Sequence, residues 1–284
     1  MDLSIIIVNY NTKDLTHQTI DSIIKNTHGI NYEIIVADNS TNKSQMCNYD
    51  SKHVKVCEIE NHGFGHGCNS GAKLAKGRYL LFLNSDTLIH DNALLKCVEY
   101  MKANKDVGIL GARILLVDGT LDHGCKRGFP TPGAALYYYL RLDRKFPDSR
   151  KYGAYRQTYI NESETNEVDS VSGAFLMIEE NLFEEVNGFD ETFFMYGEDL
   201  DLCFRVKEKG HKVVYFADAV ITHLKGQSGL HKSSKTVIFH FYDAMIIFYD
   251  KHYKNKYNII VTLLIYSTVK IKYLITLLKR RSIV

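Results

Sequence analysis

Only three prolines and no Cys-x-x-Cys pair occur in this 284-residue chain, although it holds six cysteines and 45% hydrophobic residues. That composition excludes collagen, a disordered chain and a disulfide scaffold. Cysteines without paired spacing give no zinc site and read as reduced thiols of the cytosol. Residues 1–8 lack the basic start and the long apolar core of a secretion signal, so a cytoplasmic protein is expected. Neither a P-loop nor the dinucleotide-binding glycine fingerprint is present. Net charge is nearly absent too: 35 Lys+Arg against 33 Asp+Glu leave +2, and no nucleic-acid partner is expected. The sum hides a separation. Residues 251–284 carry eight basic and no acidic side chains, or +8, and the preceding 250 residues carry −6. Such asymmetry points to a membrane or polyanion partner for the tail.

What is present is an alternation of strands and helices. Residues 3–8 (LSIIIV) form a continuous apolar run before the polar loop Asn9-Tyr10-Asn11-Thr12, the pattern of a strand buried on both faces. A helix follows, with Leu15, Ile20, Ile23 and Ile24 at helical spacing and a stop at His28-Gly29. Strands at 33–37, 54–59 and 79–83 and helices near 68–76 and 92–103 continue a βαβ series. The fold class is therefore α/β: a Rossmann-like, mostly parallel sheet flanked by helices, with ligands at the carboxyl ends of its strands. After residue 107 the texture changes. Asp118-Gly119 reads as a hairpin turn, and residues 126–166 are irregular and hold all three prolines. A β segment at 170–178, helices near 180–186 and 199–209 and a strand at 212–217 lead to Val220-Ile221-Thr222-His223. One domain is expected over 1–230, with a nucleotide half at 1–106 and a second half at 107–230, which the resemblance named below makes the acceptor half, before a helical extension at 231–284.

Three polar clusters fall at strand ends: Asn9-Tyr10-Asn11, Asp38-Asn39-Ser40 and Asn84-Ser85-Asp86. Turn residues are needed at any strand end, but three clusters on one edge favour a site. The Asp86 carboxylate at such an edge can hold a divalent cation against a diphosphate. Asp38 can accept a hydrogen bond from a base or ribose, and residues 61–65 (NHGFG) can let a nucleotide approach the backbone. The strongest local signal is Glu198-Asp199-Leu200-Asp201 at a helix start, entered from an aromatic-rich segment. Helix N-termini favour acids, which explains one or two of them. A carboxylate beside aromatic side chains is also a candidate general base for a hydroxyl nucleophile.

Taken in order, the landmarks SIIIVNYNT, VADNS, NHGFGHGCNSG, LLFLNSD, SGAFLMI and GFDETFFMYGEDLDLCFR, followed by His223 to Ser228, carry a resemblance. The chain resembles the family-2 glycosyltransferases, inverting enzymes with a GT-A fold, and within them the bacterial rhamnosyltransferases of cell-surface polysaccharide assembly. The resemblance implies that Asp199 is the catalytic base, with Glu198 beside it. It implies a Mg²⁺ or Mn²⁺ ion on Asp86 and His223. It implies a nucleotide-sugar donor held by Val8, Tyr10, Asp38, Asn61, Gly63, Asn84, Ser85, Lys225 and Ser228. Asn84 departs from the family pattern, standing where the metal motif has its first acid. The implied donor is dTDP-L-rhamnose. Another UDP- or dTDP-hexose, or a scaffold that keeps the fold without catalysis, are the alternatives.

The tail bears on the acceptor. Residues 257–278 read as one long helix, but only 13 uncharged residues separate Lys256 from Lys270, short of the ~20 needed to span a bilayer. A membrane-surface helix is expected, peripheral on the inner face of the cell membrane, with a glycan or polyprenyl-linked acceptor. Packing on the domain, or on a second subunit in a homo-oligomer, is the alternative for the same helix.

Overall fold

A computed structural model of the chain describes residues 1–224 and 234–281. The first half is β1 (Leu3–Asn9), α1 (Lys13–Asn26), β2 (Tyr32–Asp38), β3 (Val54–Glu58), α2 (Phe64–Ala72), β4 (Tyr79–Asn84), β5 (Thr87–Ile89) and α3 (Ala93–Ala103). The second half is β6 (Val107–Leu116), α4 (Pro132–Tyr139), α5 (Leu142–Lys145), β7 (Asn166–Val168), β8 (Phe175–Glu179), α6 (Glu180–Glu185), α7 (Glu198–Glu208) and β9 (Lys212–His223). Two helices, α8 (Lys235–His252) and α9 (Ile259–Arg281), close the chain.

All nine strands join one sheet in the order β3-β2-β1-β4-β8-β6-β9-β5, with β7 on β9. The block β3-β2-β1-β4 is wholly parallel. β8 then runs antiparallel to both β4 and β6, so β6 and β9 again point the same way as β4. The carboxyl ends of β1, β4, β6 and β9 therefore share one edge. Every residue of β1 is buried, as its unbroken apolar run requires of a strand covered on both faces.

Helix α2 and strand β9 differ in extent from the sequence expectation, each for a visible reason. Helix α2 starts at Phe64, four residues earlier than the spacing predicts, because glycines dilute its apolar periodicity. Those glycines are packing residues: a Cβ on Gly67 or Gly71 would meet Val8 at 2.9 Å or Ile6 at 2.5 Å, so their absence lets α2 lie directly on β1. The segments at 212–217 and 220–223 are one strand, β9, whose register against β6 jumps from Ala112/Phe216 to Arg113/Val220. This bulge carries the strand on to His223. The short strands β5 and β7 were not expected, and residues 126–166 contain α4 and α5 among turns.

The 118–119 turn forms as expected. Gly119 has φ +80°, Leu116 N–H donates to Thr120 at 2.8 Å, and the returning chain places Asp122 beside the end of β6, where its N–H donates to Ile114 at 2.8 Å.

Helix α8 shares a core with α7: Phe193, Leu200 and Phe204 pack with Ala244, Phe248, Tyr249 and Tyr253. Helix α9 turns its hydroxyl-bearing stripe inward, with Tyr249 Oη to Thr262 Oγ1 at 2.9 Å, Tyr242 Oη to Thr276 Oγ1 at 2.8 Å and Tyr266 Oη donating to Asp250 at 2.5 Å. Its aliphatic side chains face out. The segment Ile259–Lys279 has a mean hydropathy of 1.6 and is, by length and composition, long and apolar enough to cross a membrane. This corrects the expectation that it is too short, which counted only the uncharged run: Lys270 and Lys272 interrupt the apolar stretch without ending it.

Candidate active site

Around the shared edge, the first cluster is a triad. His223 ends β9; its Nε2 lies 3.1 Å from Asp86 Oδ1 and its Nδ1 lies 3.0 Å from Asp122 Oδ2, all three side chains being buried. Burial alone would lower the imidazole pKa, but hydrogen bonds to Asp122 and Asp86 raise it to about 9. Among the described residues no group of three or more His, Cys, Asp or Glu side chains forms a metal cage. The donor chemistry nonetheless fits Mg²⁺ or Mn²⁺ held partly by substrate. Asp86 and His223 Nε2 converge, a cation there would displace the Nε2 proton, and Asp122 orients the imidazole through its other nitrogen, the usual outer partner of a metal-ligating histidine. Asp122 went unnoticed in the sequence; its position just beyond the Asp118-Gly119 turn was the available signal.

The second cluster centres on Asp199 in the first turn of α7. Its Oδ2 accepts from Arg127 Nη2 at 2.6 Å and from the Gly173 N–H at 3.0 Å; its Oδ1 accepts from the Leu200 N–H at 2.7 Å. Gly173 precedes Ala174, whose carbonyl accepts from the Asn84 N–H at 3.2 Å, so Asp199 is tied to the end of β4. Arg127 comes from the irregular segment, where no periodicity marked it. Glu198 is buried beside Asp199 with Oε2 lacking a hydrogen-bond partner among the described residues, and burial together with the Asp199 charge raises its pKa.

Asp201 faces away from this edge. Fully buried, it accepts from Arg205 Nε at 2.7 Å, His252 Nε2 at 2.8 Å and Lys251 Nζ at 2.8 Å. Burial opposes its ionisation, but these partners hold its pKa down to about 2. It binds α7 to α8.

On the nucleotide side, Asp38 Oδ2 accepts from Asn9 Nδ2 at 2.8 Å and Cys47 N–H at 2.6 Å, and Oδ1 accepts from Ser40 N–H at 2.9 Å. In this geometry Asp38 braces its own loop. Asn61 Oδ1 accepts from Asn39 Nδ2 at 3.1 Å and Gly63 N–H at 3.2 Å, joining two loops of the edge. Gly63 has φ +106°, and a Cβ there would lie 2.3 Å from the Phe194 carbonyl oxygen. Ser85 Oγ pairs with Thr12 Oγ1 at 3.1 Å; Asn84 ends β4 beside Val8 of β1, and Tyr10 follows that strand, half-buried. Lys225 and Ser228 lie outside the described residues.

Residues 4–162 match the family described as Glycosyl transferase family 2, more than half of the chain. The chain belongs to that family. Residues 160–226 match a second description, N-terminal domain of galactosyltransferase. Among curated relatives, the O-antigen biosynthesis protein RfbC of Myxococcus xanthus is 28% identical over 80% of this chain and 17% of its own length. The low-salt glycan biosynthesis hexosyltransferase Agl10 of Haloferax volcanii is 28% identical over 73% of this chain and 62% of its own. The rhamnosyltransferase WbbL of Escherichia coli is 28% identical over 74% of this chain and 79% of its own. The chain thus spans under two thirds of the first two relatives. GalNAc-T7, solved with UDP, GalNAc and Mn²⁺, superposes with a TM-score of 0.59 at 17% identity over 86% of this chain and 47% of that one. The mannosyltransferase PcManGT of Pyrobaculum calidifontis, solved with GDP-Man and Mn²⁺, gives 0.58 at 14% identity over 99% and 73%. The fold is that of the GT-A glycosyltransferases.

Proposed function

We propose that this family-2 domain transfers a sugar with inversion from a nucleotide-sugar to a glycan in cell-surface polysaccharide synthesis, with dTDP-L-rhamnose as donor. The observation that carries the reading is Asp199, a buried carboxylate pinned by Arg127 and the Gly173 amide at the edge where Asp86 and His223 meet. Relatives named as rhamnosyltransferases support the sugar; a UDP- or dTDP-linked galactose or glucose is the alternative donor.

In the proposed step the acceptor hydroxyl attacks the anomeric carbon from the face opposite the diphosphate. The new C–O bond forms as the old one breaks, and its electron pair leaves with the nucleoside diphosphate. The proton passes to Asp199. Oδ2 already accepts two hydrogen bonds and Oδ1 one, so Oδ1 keeps the lone pair that can receive it. A divalent cation on Asp86 and His223 would supply charge stabilisation for the leaving diphosphate. Glu198 shapes the pocket beside the base, and of the donor set expected from the sequence Val8, Tyr10, Asp38, Asn61, Gly63, Asn84 and Ser85 would take the nucleotide along the carboxyl edge. The exposed aliphatic face of α9 supports peripheral attachment to a membrane and hence a lipid-linked acceptor.

A donor panel tests the reading: purified protein, dTDP-, UDP- and GDP-sugars, and release of nucleoside diphosphate with and without EDTA. Release from dTDP-L-rhamnose that EDTA suppresses is expected. Turnover of only GDP-sugars, or of none, would overturn it.

A further inference from the structure

At the end of β6 lies an open cavity of about 280 Å³, walled by Leu116, Asp122, His123, Arg127, Tyr155 and Arg156 among others. It touches both clusters of the active edge. Asp122 holds His223, which holds Asp86, and Arg127 holds Asp199. An occupant would therefore sit against Arg127 and Asp122, one side chain away from the proposed base and from the proposed diphosphate site. The volume is just below the usual ~300–1,000 Å³ of small-molecule sites, which suits one sugar-phosphate unit and not an extended chain.

The wall is cationic. Arg127 is committed to Asp199, but Arg156 donates no hydrogen bond to the described residues; its one ion pair among them, Nε to Oδ2 of the buried Asp143, is loose at 3.8 Å. Asp122 is the carboxylate on the wall itself, and it is occupied by His223 and the Gly124 N–H. The Arg156 fork is held by stacking on Tyr138, 5.3 Å from the ring centroid. A planar guanidinium with unspent donors, stacked on an aromatic ring, is pre-organised for an oxyanion.

The same stack leads to the tail. Next to Tyr138, the Tyr139 ring lies 3.5 Å from Lys272 Nζ of α9, and Leu136, Tyr139 and Leu140 of this α4 segment are exposed. The cavity thus lies one helix away from the exposed aliphatic face of α9. We infer that this cavity is the acceptor subsite and that Arg156, with His123, binds the phosphate joining an acceptor sugar to its lipid. The inference rests on the glycosyl-transfer reading and adds the chemistry that recognises the acceptor.

The test is equilibrium binding to the full chain with the donor site filled by saturating dTDP, using geranyl diphosphate and inorganic diphosphate as probes. Geranyl diphosphate should bind at least about tenfold more tightly than inorganic diphosphate, and Arg156→Gln should weaken both about tenfold, the effect of one charge-assisted contact. Arg156→Lys should fall between. Equal affinity of the two probes would overturn the lipid assignment. Displacement of both by dTDP, an Arg156→Gln protein that binds them like wild type, or an equal loss of dTDP affinity would overturn the subsite. Failure to bind dTDP at all strikes the donor reading instead and is read in a separate titration.

Discussion

Asp199 and Glu198 are neighbours in the chain with opposite surroundings, and their roles divide accordingly. Asp199 has three donors on its carboxylate, one of them cationic, and Glu198 has a buried oxygen with none. Asp199→Asn keeps the shape but cannot take a proton. Transfer is expected to fall by roughly 10²- to 10⁴-fold, the usual worth of a general base, with dTDP affinity unchanged. Near-normal transfer in that variant would move the base elsewhere. Glu198 carries the reverse sign. Its folded pKa lies above its unfolded value, so the folded state binds the extra proton and stability declines as pH rises from the ordinary carboxylate range through the raised value. Glu198→Gln mimics the protonated acid. Its melting temperature should depend less on pH and exceed that of the wild type above neutrality; a steeper decline than wild type would refute the assignment. The sequence placed these acids at a helix start, yet which of them meets a cation depends on Arg127, distant in the chain and in a segment without periodicity.

At the scale of elements, α7 is held by α8 as much as by the sheet. Asp201 joins the two through His252 and Lys251 and also ties down Arg205, whose guanidinium donates to the carbonyls of Val186 and Gly188. With a folded pKa depressed to about 2, Asp201 contributes stability that is present above the unfolded value of ~3.9 and is lost as pH falls from there towards 2. Asp201→Asn removes the buried carboxylate that Arg205, Lys251 and His252 share and should cost about 1–3 kcal/mol by denaturant unfolding. A loss below about 1 kcal/mol would show that the clasp is not what holds α8 to α7. Gly71→Ala tests the other close approach: its Cβ would stand 2.5 Å from Ile6 Cγ2, and overpacking of about 1–3 kcal/mol is expected, whereas an unchanged melting temperature would mean α2 can shift. These two elements also show what was legible. The parallel block and its polar edge could be read because buried strands are written as apolar runs. The start of α2 could not, because its glycines serve a contact with β1 that only the fold reveals. The bulge in β9 and the partner Asp122 were hidden for the same reason, being set by pairing between distant segments.

For the whole molecule, the question is what covers α9. An ordinary surface helix buries its aliphatic stripe, but here Thr262 is buried and the hydroxyls of Tyr242, Tyr249 and Tyr266 bond inward or to Asp250. Ile259, Ile260, Leu263, Leu264, Ile271, Leu274, Ile275 and Leu278 are 45–68% exposed. Full burial of one such side chain from water is worth about 1.5–3 kcal/mol, so covering the exposed parts of all eight supplies several kcal/mol towards docking this face. Lys270 and Lys279 stand exposed on the same helix, and each cation near an anionic leaflet adds about 1 kcal/mol. A bilayer with anionic lipid therefore fits the face better than a second apolar protein surface, to which the lysines would contribute little. The full chain should cosediment with vesicles containing phosphatidylglycerol, less so at high salt, and only weakly with neutral vesicles. Replacing Leu264 and Leu274 by glutamate puts charge on the outward face without touching the Tyr–Thr contacts to α8, so the variant should stay folded and lose vesicle binding. Retained binding would place the membrane contact elsewhere. A wild-type dimer in vesicle-free solution that this double variant converts to a monomer would instead show that another copy of the chain covers α9.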